Sequence, residues 1–230
     1  MKDVTINYVF DVDGTLTPSR RSIDPEFAKW FLEWCKDKYV FLASGSDYPK
    51  TIEQLGEDIC NAVDGVYSCG GNALYYKGQL MHSRSFELTE RQREYLNYLL
   101  DASNYPVKTG QHIEERIGMV NFSILGRGGT FEQRQDYVEY DRGKRERATI
   151  ARRVKTKFHD LDVLLGGETG IHIFPKGRNK GQIASSLKPF IFFGDRTMPG
   201  GNDYDICKDA ESYYTVKTWE DTWKILKEMG

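Results

Sequence analysis

The sequence predicts an α/β protein, a doubly wound core that carries an inserted α+β domain. Three observations predict it. Short apolar runs alternate with amphipathic helical stripes through the first third of the chain, the sign of a parallel sheet with helices on both faces. Near residue 82 this order gives way to charged helices and half-alternating strands. It returns towards the end, where IFFGD closes a strand and a capped helix follows. Residues 1–81 and 186–230 are therefore assigned to the core, and 82–185 to the insertion.

The elements follow in order. Residues 6–10 read as a short buried strand. Asp24 can cap a helix that has Pro25 at its first position. Phe27, Trp30, Phe31, Trp34 and Cys35 then fall on one helical stripe. YVFLAS at 39–44 is a second buried strand, Ile52, Leu55 and Ile59 mark another helix, and 63–67 is a third strand. In the insertion, 89–100 is expected to be helical, 112–125 to hold one or two strands, 141–158 to be helical, and 161–174 to form a hairpin with a glycine-rich turn. A short helix after Asn179, strands at 191–195 and 213–216, and a helix capped by Thr218 with Trp219, Trp223 and Leu226 inside complete the core.

Bulk composition narrows the function. The chain has 230 residues, 39% hydrophobic and 29% charged, with a net charge of -2. That balance argues against bulk binding to nucleic acid or an anionic membrane. The 141–158 segment carries eight Lys or Arg residues. Asp141 and Glu146 interrupt them, so a solvated helix face is the expectation rather than a nucleic-acid surface. Cys35, Cys60, Cys69 and Cys207 form no CxxC pair and no zinc spacing, which fits reduced thiols. The stretch MKDVTINYVFDVDG meets acidic residues before any apolar run, and no membrane-length apolar run follows. A cytoplasmic location without membrane association is expected.

The chemistry concentrates at strand ends. In FDVDGTLT an apolar strand delivers Asp11 to its C-terminal end, where α/β sheets place their sites. Extended backbone would put Asp13 on the same side as Asp11, and Gly14 permits a sharp turn. Two carboxylates this close repel, so a hard cation is expected between them and a phosphate. Asp11 can then attack phosphorus, and Asp13 can give and take the proton of the leaving or attacking oxygen. Ser44 closes the second strand, where its hydroxyl and the following N–H groups can hold phosphate oxygens; an ordinary N-cap would look the same. Lys180 in GRNKG can neutralise phosphate or nucleophile, and Asp195 in FFGDRTMPGGNDYDI offers an oxygen ligand to Mg²⁺. Nucleophile, hydroxyl, lysine and acid fall in that order at junctions of one inferred sheet.

These blocks resemble the haloacid dehalogenase superfamily of phosphotransferases and, more narrowly, the eukaryotic-type phosphomannomutases. FDVDGTLTPSR, SGSD with EQLG, IEERIGMVNFSILGR, FPKGRNKG and GDRTMPGGNDYDI are similar to that family's blocks, in order, from about Asn7 to Leu226. The resemblance implies a Rossmann-like catalytic core with a substrate-binding cap. It implies that Asp11 is phosphorylated, that Asp13 is the general acid/base, and that Mg²⁺ is held by Asp11, the Asp13 carbonyl and Asp195. A second cation loop would involve Cys207, Asp209 and Ser212. Arg20 in the core, and Arg116, Arg127 and Arg134 in the cap, match the substrate-binding arginines. Guanidinium forks suit the grip that a doubly phosphorylated intermediate needs away from the nucleophile. A homodimer formed through the caps and a hexose 1,6-bisphosphate activator are also implied.

Four positions depart from the family. Gly170 and His172 stand where it pairs a Ser and an Asp to read sugar hydroxyls. Cys207 replaces a phenylalanine whose carbonyl serves the second cation loop. Ser44 stands where the mutases tend to have glycine. The sequence thus leaves three readings: a mutase interconverting hexose 6- and 1-phosphates, a sugar-phosphate phosphatase on the same scaffold, and a non-catalytic sugar-phosphate binding protein. A binding protein has no need of both Asp11 and Asp13.

Overall fold

A computed structural model describes residues 6–230. The first five residues of the 1–81 segment, with the start of the stretch that bears on a leader, lie outside the described residues. The chain divides into two compact units, Met1–Arg84 with Arg178–Gly230, and Ser85–Gly177. The inserted unit thus runs from 85 to 177, where the sequence suggested 82–185, and Lys180 belongs to the core.

The core sheet has seven strands in the order β11-β10-β1-β2-β3-β4-β5. Its centre is parallel: β1 (Asn7–Phe10) lies between β2 (Tyr39–Ala43) and β10 (Phe190–Gly194), with β3 (Gly65–Ser68) and β11 (Ser212–Thr215) outside them. Successive side chains leave a strand on opposite faces, so both faces of β1 are packed. Phe10 joins Phe27, Phe31 and Trp34 of α1 (Pro25–Trp34), Leu55 and Ile59 of α2 (Tyr48–Ala62), and Leu226 of α8 (Trp219–Met229). Val9 joins Ile183, Ala184, Leu187 and Ile206 on the other face. Those residues lie in a 3-10 turn (Lys180–Ile183), α6 (Ala184–Leu187) and α7 (Tyr204–Cys207). The Asp24 carboxylate caps α1 as expected, accepting from the Glu26 and Phe27 N–H groups. The antiparallel strands β4 (Ala73–Tyr76) and β5 (Gln79–Ser83) extend the sheet beyond the strands expected from the sequence.

The inserted unit is a four-stranded antiparallel sheet in the order β6-β7-β9-β8, formed by Ile113–Arg116, Met119–Phe122, Gly170–Pro175 and Leu161–Gly166 respectively. Its helices are α3 (Glu90–Asp101), α4 (Phe131–Lys144) and α5 (Glu146–Lys157). Leu96, Tyr137, Ile150 and Val154 of these helices pack on Val120, Phe122, Val163, Ile171 and Ile173 of the strands. Alternation then assigns Glu114, Arg116, Asn121, Gly170 and His172 to the opposite face of the sheet.

The helix expected over 141–158 is two helices. Arg145 takes a left-handed conformation (φ 52°) and breaks the chain there. The basic run is dispersed accordingly: Arg147 is buried against Asp141, while Lys157 and Arg153 lie over the rings of Tyr95 and Tyr98. No helix among the described residues is long and apolar enough to cross a membrane.

The Asp141–Arg147 pair carries unusual weight in the insertion. Arg147 donates from N and Nε to the Asp141 carboxylate at 2.8 and 2.7 Å, and from Nη1 to the Gly167 and Gly170 carbonyls. Asp141→Ala should leave a buried, unpaired guanidinium and destabilise the protein by about 3–5 kcal/mol. The double replacement Asp141→Leu with Arg147→Met should cost clearly less, because it leaves neither charge buried without its partner. Chemical denaturation of both variants measures this, and equal losses would show that the pair's charge is immaterial.

Candidate active site

Parallel pairing aligns the strand ends that carry the chemistry. Phe10 registers with Leu42 of β2 and with Phe193 of β10. Asp11, Ser44 and Asp195 each follow their strand by a single residue, so all three leave the sheet along one edge. The Asp11 N–H donates to the Phe193 carbonyl at 2.9 Å, which extends the β1–β10 ladder to Asp11. Gly14 then turns the chain with φ 81°. A Cβ there would stand 2.7 Å from Asp195 Oδ2, so glycine is needed both for the backbone angle and for the space beside Asp195.

Lys180 closes this edge. Its side chain is 2% exposed, and its Nζ donates to Asp11 Oδ1 at 2.6 Å and to Asp203 Oδ1 at 2.5 Å. Asp203 in turn accepts the Arg196 N–H through Oδ2 at 3.1 Å. Sequence reasoning noted Asp203 only as a neighbour of Asp195. The structure places it in the centre of the cluster with no exposed surface. Its signal was the glycine-rich TMPGGND turn: a Cβ at Gly201 would meet the Arg196 carbonyl at 2.1 Å, so the loop folds back on itself and brings Asp203 inward.

Carboxylate oxygens of Asp11, Asp195 and Asp203 lie within 4.8 Å of one another. Among the described residues this is the only cluster of three or more acidic, thiol or imidazole ligands. Burial, then the charge of Asp203, pushes the Asp11 carboxyl well above the ordinary carboxylate range, against the pull of Lys180. Burial and Asp203 likewise raise Asp195 to about 6. Burial would lower Lys180, but the Asp11 and Asp203 charges and their hydrogen bonds outweigh it and hold the ammonium charged. One ammonium facing three close carboxylates leaves negative charge uncompensated. A hard divalent cation fits that donor set.

The Asp13 side chain points elsewhere. Its Oδ1 accepts from the Arg20 N–H at 2.6 Å and from Gln54 Nε2 at 2.9 Å, and Gln54 also donates to Thr17 Oγ1. Arg20 needs a positive φ of 59° to make its contact. Gln54 was not singled out from the sequence, and it is what fixes the Asp13 carboxylate. Ser44 is 2% exposed, and its Oγ accepts the Ser46 N–H at 3.0 Å.

Cys207, Asp209 and Ser212 occupy one short segment between the end of α7 and the start of β11. Asp209 accepts from Lys188 Nζ at 2.5 Å and is about half exposed. Burial and Asp203 push the Cys207 thiol up to about 12, so the carbonyl rather than the thiol is available as an oxygen donor there.

In the inserted unit, Glu114 Oε2 accepts from Arg116 Nη2 at 2.7 Å and forms an ion pair with Arg127, whose Nε lies 3.2 Å away. Arg134 donates to Glu168 at 3.1 Å and to Thr169 Oγ1 at 3.5 Å. His172 is buried, and its ring lies over Gly166, where a Cβ would meet Nε2 at 2.2 Å. A Cβ at Gly170 would stand 2.4 Å from Asn121 Oδ1. The asparagine amide thus fills the space that a side chain at 170 would take.

Linkage gives the acidic cluster a pH signature. A carboxyl raised to about 6 in the folded state, as Asp195 is, binds more protons folded than unfolded. The metal-free protein therefore loses stability as pH rises from about 4 through about 6. Mg²⁺ should offset this loss above that window and compete with protons inside it. At about 100 times its Kd it contributes about 2.7 kcal/mol, a rise in Tm of about 5–10 °C at pH 7.5. The rise should be clearly smaller at pH 5 and largely lost in Asp195→Asn. Calorimetry with chelator and with Mg²⁺ checks this, and equal shifts at both pH values would contradict it.

Comparison with known proteins agrees with this geometry. The model of the family described as eukaryotic phosphomannomutase matches residues 28–229. A phosphomannomutase of Spinacia oleracea is 35% identical over 96% of this chain and 94% of its own length. One of Galdieria sulphuraria is 36% identical, over 96% of this chain and 93% of its own. Among solved structures, a sugar phosphatase of haloacid dehalogenase subclass IIB is 17% identical, with a TM-score of 0.57 over 98% of this chain and 99% of that chain. At that identity the likeness speaks for a shared fold alone, a haloacid dehalogenase-like core with an inserted second unit. The family match and the two relatives go further: the chain belongs to the eukaryotic phosphomannomutase family.

Proposed function

We propose that this protein interconverts hexose 6-phosphate and hexose 1-phosphate through a phosphoaspartate on Asp11, with Mg²⁺ as its cation. Mannose phosphate is the substrate that the named relatives suggest. The observation that carries the reading is the Asp11–Lys180–Asp203 bridge at the strand ends, which aims one carboxylate and sets an ammonium against it beside a second acid, Asp195. In the first half-reaction an Asp11 oxygen bonds to phosphorus as the bond from phosphorus to the sugar oxygen breaks, and Asp13 gives its proton to that leaving oxygen. In the second, a hydroxyl of a hexose phosphate attacks the phosphoaspartate, Asp13 takes the hydroxyl proton, and Asp11 is regenerated. The product of that step is a hexose 1,6-bisphosphate. It returns its other phosphoryl group to Asp11 after rebinding in the opposite orientation.

The remaining residues position these groups. Arg20 and Gln54 hold the Asp13 carboxylate. Ser44 and Lys180 hold the oxygens of the phosphoryl group. Asp11, Asp195 and the Asp13 carbonyl would hold Mg²⁺, and Asp203 anchors Lys180 beside them. Bound there, Mg²⁺ would supply positive charge that shields the carboxylate from the phosphate it attacks. Cys207, Asp209 and Ser212 would serve a second cation loop through oxygen donors. Arg116, Arg127 and Arg134 take the phosphate remote from Asp11, and Gly170 and His172 replace the sugar-reading pair. Homodimerisation through the inserted unit and priming by a hexose 1,6-bisphosphate complete the reading. Four buried free cysteines suit the reducing cytoplasm.

Phosphorus NMR with hexose 1-phosphate and Mg²⁺ separates the outcomes. Isomerisation to hexose 6-phosphate is expected, primed by the bisphosphate; release of inorganic phosphate as the main product would favour the phosphatase. Asp11→Asn should leave less than about a thousandth of the rate, and a faster variant would exclude the phosphoaspartate. In the same assay with mannose, glucose and galactose phosphates, wild type should discriminate weakly or prefer a sugar other than mannose. His172→Asp should move it towards mannose phosphate, since this change needs no displacement of Asn121, as a serine at 170 would. Strong mannose selectivity in both proteins would refute the assignment of His172.

Arg127→Ala should raise KM for hexose phosphates by about 10–100-fold, the loss of a charge-assisted hydrogen bond worth about 1.5–3 kcal/mol. Hydrolysis of a small aryl phosphate, with no distal phosphate, should be nearly untouched. Equal damage to both substrates would mean that Arg127 supports the fold instead.

A further inference from the structure

Glu114 has no role in the chemistry above, yet it sits among two guanidiniums and an amide. A single oxygen, Oε2, accepts from Arg116 Nη2 at 2.7 Å and from Asn121 Nδ2 at 3.2 Å, and forms an ion pair with Arg127, whose Nε lies 3.2 Å away. The arrangement follows from the sheet. Glu114 and Arg116 are two residues apart on β6 and share a face. Glu114 registers with Asn121 on β7. Arg127 is brought in by the loop after β7, where its N–H donates to the Gln111 carbonyl at 3.0 Å.

We propose that Glu114 is a positioning residue that seats Arg116 and Arg127 as one anion-binding unit for the distal phosphate of the sugar substrate. The inference rests on the distal-phosphate reading of these arginines. Two guanidiniums this close repel, and a carboxylate between them removes that cost before substrate arrives. Glu114 also pairs with Arg127 on the Nε side of the guanidinium. Both arginine planes are thereby fixed by a group that keeps its place through turnover, and substrate binding spends less on ordering them. Asn121 ties this seat to the sugar-reading strand, because its other amide atom, Oδ1, fills the space beside Gly170.

The test compares Glu114→Ala, Glu114→Gln and Arg127→Ala on hexose 1-phosphate and on a nitrophenyl phosphate, each at saturating Mg²⁺. Glu114→Ala should raise KM for hexose 1-phosphate by about tenfold, one charge-assisted hydrogen bond's worth. It should leave kcat/KM for the nitrophenyl ester within about twofold, a difference that a general loss of folding would not produce. Glu114→Gln keeps the length and one acceptor oxygen, so its KM should lie between wild type and Glu114→Ala. Unchanged KM in Glu114→Ala beside a raised KM in Arg127→Ala would overturn the role of Glu114 and leave the distal-phosphate reading standing. Equal loss on both substrates in Glu114→Gln, the variant that preserves shape, would make Glu114 a folding residue. Unchanged KM in Arg127→Ala would remove the distal-phosphate reading and this proposal with it.

Discussion

Lys180 between Asp11 and Asp203 is the constraint on which the rest of the core depends. Moving an ammonium and two carboxylates out of water costs several kcal/mol per ion before their mutual attraction is counted. The cluster persists because each of these three groups is held by a directed partner. Asp11 is pinned by the β1–β10 ladder, Asp203 by the Arg196 N–H, and Lys180 bridges them at 2.5–2.6 Å. Each participant reaches the cluster from a different part of the chain: the end of β1, the turn after β10, and the segment that resumes the core after the insertion. Lys180 is two residues past Arg178, where the chain re-enters the core. The point of return from the insertion is therefore tied to Asp11 itself.

Much of this was legible in the sequence, for reasons that can be named. The central strands are buried on both faces, so residues 39–44 and 191–195 read as continuous apolar runs and marked the sheet edge with Ser44 and Asp195. Asp24 and Pro25 announced α1 through local chemistry alone. What was missed depends on pairing or on polar burial. β5 is exposed along its whole length and shows no alternation that would mark it; only its pairing with β4 makes it a strand. α4 buries just Tyr137 and Asp141, so no apolar stripe marks it. Its one local signal was the Thr130 and Gln133 capping box. The break at Arg145 could not be read at all, since it takes a left-handed arginine that intrinsic preference disfavours.

The same division applies to the site. Asp11 and Asp195 meet as their strand positions implied, whereas Lys180, expected at a strand junction, reaches Asp11 from the 3-10 turn before α6. Asp203 was overlooked because the direction of its side chain is set by a tight glycine turn, not by strand periodicity. Asp13 shares the motif with Asp11 but not its environment: Gly14 turns the chain immediately after it, and Gln54 and the Arg20 N–H hold its carboxylate. Two acids at adjacent alternate positions thus receive different surroundings. One is buried and bridged by a lysine, and the other is half-buried and held by neutral donors. That separation is what a nucleophile and an acid/base require of one short motif.

In the inserted unit the polar sheet face follows from covering the other face with helices. Ile171 and Ile173 face the helices, so Gly170 and His172 must face away from them. The Gly166–Gly170 turn between β8 and β9 is held by Arg147 through the Gly167 and Gly170 carbonyls, by Ser123 through the Thr169 carbonyl, and by Arg134 through Glu168. A turn rich in glycine would be loose by composition, and these side chains remove that freedom. Two substitutions on this hairpin are then coupled by geometry: a histidine at 172 needs the bare backbone of Gly166 beneath its ring, and an asparagine at 121 needs the bare backbone of Gly170. Changes at these positions have to move in such pairs, because each larger side chain is admitted only where the facing strand carries none.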